Sequence, residues 1–262
     1  MKKIMNAWTF GGTRLSTFGH ITELDSYLDI PAKRGENILI PMQDGNTHVK
    51  KYFEQKIISF GMEIVSDAVC DMEEKLDSLK LLLGNRNQQY LANPMFASGP
   101  RHALAEVVGP LNVTRKPDPR SARIVIDFLL AEPFLRSVAQ YAPAPTVIDA
   151  PNVPALIVNA GTAEERKSII TLTGPLEDVV IINSANGLIL YYTAAITAGH
   201  HVDIDCGAFT ALYDNAVNVI QNLSHVGDTS FMVFVPGNNQ VDIDDLNAAS
   251  GEVSVTFYPP YL

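Results

Sequence analysis

Cysteine is almost missing from this chain: Cys70 and Cys206 are the only two in 262 residues. They supply neither a disulfide framework nor a Cys-x-x-Cys metal knuckle. Both sit in apolar patterns and read as small core residues, and the sparse usage suits synthesis in a reducing cytosol. Tryptophan is nearly absent as well, with Trp8 alone. A sugar site of the lectin kind would therefore lack its usual stacking ring in the second half and would have to use tyrosine. Positive charge is the third shortage. Residues 145–262 hold Arg166 and Lys167 against 13 acidic residues, a balance of −11, whereas residues 1–144 carry 17 basic and 16 acidic residues, +1. Gripping nucleic acid takes clustered Lys and Arg that displace counterions from phosphates, so the second half would repel DNA. Its surplus acid keeps a domain soluble.

Other signals are missing too. Lys2 and Lys3 are followed by no apolar run, which argues against a secretory leader. The uncharged stretch 179–199 is long enough to span a bilayer, but Asn183-Ser184-Ala185-Asn186-Gly187 interrupts it with turn chemistry between two β-type runs. A hairpin is expected there, not a membrane span. Gly11-Gly12-Thr13-Arg14 is not followed by the Gly-Lys-Ser/Thr of a P-loop, and neither a Gly-x-Ser-x-Gly elbow nor a His-Glu-x-x-His pair occurs. His20, His48, His102 and His225 stand alone. No nucleophile, base and orienter assemble from these residues, so the expectation is a non-enzyme with no catalytic residue, cofactor or metal site.

What is present is core material. Hydrophobic residues make up 47% and charged residues 18%, with mean hydropathy +0.08, which excludes disordered and collagen-like chains. Tyr141-Ala142-Pro143-Ala144-Pro145, followed by Pro151 and Pro154, forms a proline-dense bridge that neither helix nor central strand tolerates. With the charge shift, it divides the chain into domains 1–144 and 145–262. In the first, Ile58, Phe60, Met62 and Ile64 alternate as in a half-buried strand. One amphipathic helix follows, capped by Ser66 or Asp67, striped by Val69, Met72, Leu76, Leu79 and Leu83, and stopped by a left-handed Gly84-Asn85. Residues 57–65 and 123–130 are the strands that would receive it. Gly99-Pro100 and Arg115-Lys116-Pro117-Asp118-Pro119-Arg120 read as exposed loops.

The second half reads as all-β. Runs at 155–158, 168–173, 179–183, 188–192, 202–206, 231–235 and 252–258 are separated by turns at Thr173-Gly174-Pro175, Asn186-Gly187 and Pro236-Gly237-Asn238-Asn239. This spacing predicts a jelly-roll sandwich. His201, Asp203 and Asp205 would share one face of a strand and Val202, Ile204 and Cys206 the other. The polar face could offer metal ligands, but polar-out and apolar-in is how any half-buried strand is written, and same-face neighbours on one strand are too widely spaced to suit three ligands. Asp242-Ile243-Asp244-Asp245 lacks the calcium-loop register and is expected as a polar loop. Tyr191, Tyr192, Tyr213, Tyr258 and Tyr261 remain as stacking candidates for the alternative function, a carbohydrate-binding adhesion module for host-surface glycans.

The order of these motifs resembles the distal tail protein (Dit) family of siphophages, the long non-contractile-tailed bacteriophages. The likeness runs through Asn159-Ala160-Gly161-Thr162-Ala163, the strand Ile170-Thr171-Leu172-Thr173 closing on Gly174, the hairpin at Asn186-Gly187, Gly199 leading into Val202-x-Ile204-Asp205, Pro236-Gly237-x-Asn239 and a terminal strand. The first half matches in architecture, and residues 85–121 read as a loop region without a counterpart. The resemblance implies a mainly β chain: an N-terminal, tail-tube-like domain of β-sheet plus one α-helix, then a galectin-like sandwich, with no catalytic residues to carry over. It implies a virion structural protein at the distal end of the tail, a homo-hexameric ring with a channel for DNA passage. The implied partners are the tail-tube protein, the tail-tip or baseplate hub, receptor-binding proteins and the tape-measure protein.

Overall fold

The computed structural model describes residues 6–24, 26–35, 38–39, 46–47, 51–227, 230–245 and 250–262. His48 and residues 1–5, with the leader reading that rests on them, lie outside these. The chain divides into two compact units, Met1–Val138 and Ala139–Tyr261.

The first unit is an antiparallel sheet carrying one helix. Its strands are β1 (Thr9–Phe10), β2 (Thr13–Arg14), β3 (His20–Glu23), β4 (Lys56–Val65), β5 (Gln89–Asn93), β6 (Arg101–Arg115), β7 (Ser121–Leu130) and β8 (Leu135–Ser137), and the helix is α1 (Val69–Leu83). They run in the order β2-β1-β5-β6-β7-β4-β3, with β8 also on β6. Period-2 alternation buries Ile58, Phe60, Met62 and Ile64 of β4 and Ala122, Ile124, Ile126, Phe128 and Leu130 of β7 on one face. Met72, Leu76, Leu79 and Leu83 of α1 close over that face. Trp8 lies within this core, with Phe60 edge-on at 5.4 Å.

Three details depart from expectation. The residue flanking the start of α1 is Ala68, in extended conformation, with no side-chain cap; Ser66 lies too far upstream, and its Oγ accepts Lys75 Nζ at 3.1 Å. Gly84 is right-handed (φ −73°) and its N–H continues to Lys80 O at 2.8 Å. An Asx turn then ends the helix, Asn85 Oδ1 accepting from Asn87 N. Residues 85–121 are not a loop region: they contain all of β5 and β6. The strand β6 was obscured because Gly109 (φ +76°) and Pro110 sit at a register shift between Val108 and Asn112, and its inward residues Ala103 and Ala105 are small.

The second unit is the sandwich. Its strands are β9 (Thr146–Ile148), β10 (Val153–Asn159), β11 (Ile169–Thr173), β12 (Val179–Asn183), β13 (Leu188–Tyr192), β14 (His201–Asp205), β15 (Thr210–Tyr213), β16 (Val217–Asn218), β17 (Leu223–Val226), β18 (Gly237–Asp245) and β19 (Gly251–Thr256). One sheet runs β9-β19-β11-β14-β15-β16 and the other β10-β18-β12-β13-β17. Ile170, Leu172, Val202 and Ile204 of the first meet Ile181, Leu190, Val241 and Ile243 of the second in one core. The hairpin expected at 179–199 is β12–β13, and no helix among the described residues is long and apolar enough to cross a membrane. Its loop has four residues, since Asn183 pairs with Leu188, and Gly187 (φ +72°) supplies the left-handed step.

Residues 231–235 form no strand, despite their β-rich composition; only an isolated bridge joins Phe234 to Glu165. Phe231, Met232, Val233 and Phe234 are nevertheless buried. Asparagine side chains replace the missing ladder. Asn183 and Asn186 donate to Val233 O at 2.8 and 2.7 Å, and Asn159 donates to Phe234 O at 3.0 Å. Asn239 donates to Val235 O at 2.8 Å and accepts Val235 N at 2.9 Å. Asn159, Asn183 and Asn239 are themselves buried. Leaving such groups unpaired costs about 1–3 kcal/mol each. Asn239→Ala is therefore expected to destabilise the sandwich by at least about 1–3 kcal/mol, and exposed Asn238→Ala by less than about 0.5 kcal/mol. Thermal unfolding of the two variants against the parent checks the contrast.

Candidate functional site

The densest polar cluster lies where β14 meets the turn after β15. Val202, Ile204 and Cys206 are buried while His201, Asp203 and Asp205 are half-buried on the opposite face. Asp214 and Asn215 are both left-handed (φ +48° and +57°), the conformation Asp and Asn tolerate best. That turn aims the Asp214 carboxylate back at β14. Its Oδ2 lies 2.6 Å from His200 Nδ1, and its Oδ1 accepts the His201 backbone N–H at 3.0 Å. His201 Nδ1 is 3.4 Å from Asp214 Oδ1, and its Nε2 is 3.5 Å from Asp203 Oδ2. The His200 ring stacks on Tyr213 with centroids 5.5 Å apart. Hydrogen bonds from His200 and the His201 backbone hold Asp214 below the usual carboxylate range.

Asp203 is tied to Thr171 Oγ1 at 2.5 Å, and Asp205 Oδ1 caps the next turn by accepting Gly207 N and Ala208 N, each at 2.8 Å. These carboxylates thus already serve the sheet and its turns. Among the described residues no group of three or more His, Cys, Asp or Glu is placed to hold one metal ion. Burial pushes the Cys206 thiol up to about 11, so it stays protonated at neutral pH. Cys70 is exposed on α1.

Other candidates are scattered. Asp242, Asp244 and Asp245 lie on strand β18, not on a loop; Asp245 is buried and accepts Glu177 N at 3.0 Å. Gly11 and Gly12 (φ +55° and +81°) make the two-residue turn joining β1 and β2, which explains the glycine pair without a phosphate. His102 meets Tyr90 edge-on, and burial plus Arg136 lowers its pKa. Of the tyrosines, Tyr192 and Tyr261 are buried, Tyr213 is covered by His200, and Tyr258 is 41% exposed. A cavity of about 10 Å³ between the sheets, lined by Ile157, Ile170, Phe234 and Val255, is too small for a sugar. The basic residues around the tip of the β6–β7 hairpin are paired in place: Arg115 with Glu73, Lys116 with Glu63, Arg120 with Asp118 and Arg123 with Glu23.

The carboxylates of the His201 cluster are engaged with the sheet and its turns, and the fold is the informative feature. A helix-bearing antiparallel sheet followed by a two-sheet sandwich is the architecture that the resemblance in the sequence implies. The crystal structure of the Dit protein of phage SPP1, from a hub adsorption apparatus in phages infecting Gram-positive hosts, aligns with TM-score 0.71 over 98% of this chain and 99% of that one, at 11% identity. At that identity the likeness is one of fold. Two structures of the phage P2 baseplate in its activated conformation, with Ca and with Sr, align over 90% and 91% of this chain and 89% and 90% of theirs. Their TM-scores are 0.38 and 0.36 at 9% and 8% identity, and no correspondence of elements is drawn from them. No protein-family model matches the sequence, and no curated protein does.

The Asp214 cluster yields a pH dependence. Its folded pKa lies below the unfolded value near ~3.9, so its charge contributes stability that is present above that value and lost as the pH falls through the folded pKa. Asp214→Asn keeps the left-handed turn and the acceptor oxygen but not the charge. Its melting temperature is expected to lie below that of the parent at pH 6 and to converge with it in strong acid. A gap independent of pH would show that the charge is idle.

Proposed function

We propose that this protein is a structural hub of a phage tail: a homo-hexameric ring at the distal end that joins the tail tube to the tip or baseplate and its receptor-binding proteins. In this reading it belongs to the virion and acts through docking geometry, not catalysis. The observation that carries it is the alignment with SPP1 Dit across both units, 98% of one chain against 99% of the other. A heterologous contact repeated around an axis closes into a ring when the rotation per copy divides a full turn.

The residues 1–144 would form the ring and line a channel for DNA, and the acidic residues 145–262 would serve as a docking arm. Charge supports this division. A lumen must let DNA slide, and the basic residues near the tip of the β6–β7 hairpin are held in the four ion pairs described above. Such exposed pairs add little stability, but they remove free cations that would grip phosphate.

Electron microscopy and mass measurement of the purified chain, alone and mixed with its tail-tube protein, test the reading. Six copies of the 28.6 kDa chain give a ring of about 170 kDa. Rings of that mass are expected, with Lys and Arg turned from the lumen. Particles that stay at the mass of one chain in both conditions, or a pore crowded with unpaired Lys and Arg, would overturn it.

A further inference from the structure

The central strands of the two sandwich sheets differ in their outward side chains. On β11, β14 and β19 the outward side chains include Thr171, Thr173, His201, Asp203, Ser254 and Glu252, and the exposed apolar residues of that sheet, Val147, Ile169 and Val217, stand apart at strand ends and edges. That is the composition of a sheet with one face in water. On the other sheet the buried positions of β12 and β13 alternate with Val180, Ile182, Ile189 and Tyr191, which point outward and are only half-buried. Register places Ile182 opposite Ile189, Val180 opposite Tyr191, and Ile189 opposite Val226. Val226 is 56% exposed, and Leu156 on β10 of the same sheet is 55% exposed. Strands that are apolar on both faces are written for sheets covered on both sides, and contiguous exposed apolar patches mark interaction sites. This also explains physically why the 179–199 stretch contains no charge.

We infer that the outer face of β10-β18-β12-β13-β17 docks another protein, one that presents an apolar surface flanked by Lys or Arg. The charge of this face selects this occupant. Asp242 stands between Pro154 and Ile182 in register, and Asp244 stands opposite Val180, so two half-buried carboxylates lie within the apolar strip. The only cations of residues 145–262 are Arg166 and Lys167, and neither is on this sheet. A second copy using the same face would bring these carboxylates onto their own equivalents, and nucleic acid or an anionic membrane would be repelled in the same way. The inference deepens the docking-arm reading above and rests on it for the kind of partner, a neighbouring tail protein.

The test uses the full-length chain, with displayed short random peptides as the probe. Selected peptides are then titrated by fluorescence anisotropy against the parent, Ile182→Thr/Ile189→Thr on this face, Ile169→Thr on the opposite face, and Asp242→Asn/Asp244→Asn. Threonine keeps the β-branched shape, so the sheet persists, and circular dichroism with melting curves confirms it. The peptides are expected to combine aliphatic or aromatic residues with Lys or Arg. Affinity should fall about tenfold or more in the double isoleucine variant and stay unchanged in Ile169→Thr. The double asparagine variant should lose most of the salt dependence. No selection above background, peptides without Lys or Arg, or equal binding by all variants would overturn the inference. So would sedimentation showing that the parent pairs with itself through this face. The double isoleucine variant should still form rings, so a missing ring counts against the hub and missing peptide binding counts against this surface.

Discussion

An irregular segment buried between two sheets must have its backbone donors and acceptors met. In this sandwich asparagine side chains meet the carbonyls of Val233, Phe234 and Val235 and the amide of Val235, while the Glu165 bridge serves Phe234. Asn159 at the end of β10, Asn183 at the end of β12 and Asn239 near the start of β18 reach inward to the carbonyls of Val233, Phe234 and Val235. The first two cap strands that belong to the register of the second sheet, and Asn183 also contacts Asn239 Oδ1 at 3.3 Å. The buried chain therefore locks three strand ends to one another. A slip of any of these strands by one residue would move its asparagine to the outer face and strand several polar groups in the core. The apolar contacts of Phe231, Met232 and Phe234 supply the burial, and the amides supply uniqueness.

Much of the architecture was legible because the apolar period speaks for itself. The strands β12 and β13 begin and end where their turn residues say, β4 follows its stripe, and α1 follows its own except at Val69, which is exposed in the first turn. The failures share a cause: each depends on partners remote in sequence. The strand β6 carries its pairing through a glycine-proline irregularity that reads locally as a loop. Residues 231–235 have strand composition but asparagine partners from 47 to 75 positions away in β10, β12 and their flanks, or just beyond them in β18, so composition pointed to the wrong hydrogen-bond partners. The Asp242 run reads as a polar loop when judged by charge, although its alternation with Val241 and Ile243 is the period-2 signature of β18.

The candidate cluster was half visible. The facing of His201, Asp203 and Asp205 follows from strand alternation alone. The part played by Asp214 does not, because it needs two successive left-handed residues to turn the carboxylate back on β14; the Asp-Asn dipeptide between β15 and β16 was the signal available. What distinguishes the molecule is how its surfaces divide the work. Cations around the β6–β7 hairpin tip are paired on the first unit's own carboxylates, and in the sandwich β12 and β13 carry apolar side chains on both faces while β11 and β14 alternate apolar with polar.

Trp8 has a practical consequence. It is the sole tryptophan, it lies fully buried in the first unit, and Tyr27, Phe60 and Phe96 surround it edge-on. Its emission is thus an intrinsic beacon for the sheet-and-helix unit, while the sandwich is dark at tryptophan wavelengths. Red-shifted fluorescence on heating would time the loss of one unit, and far-ultraviolet ellipticity would register both, so the order in which the two halves melt can be read without any label.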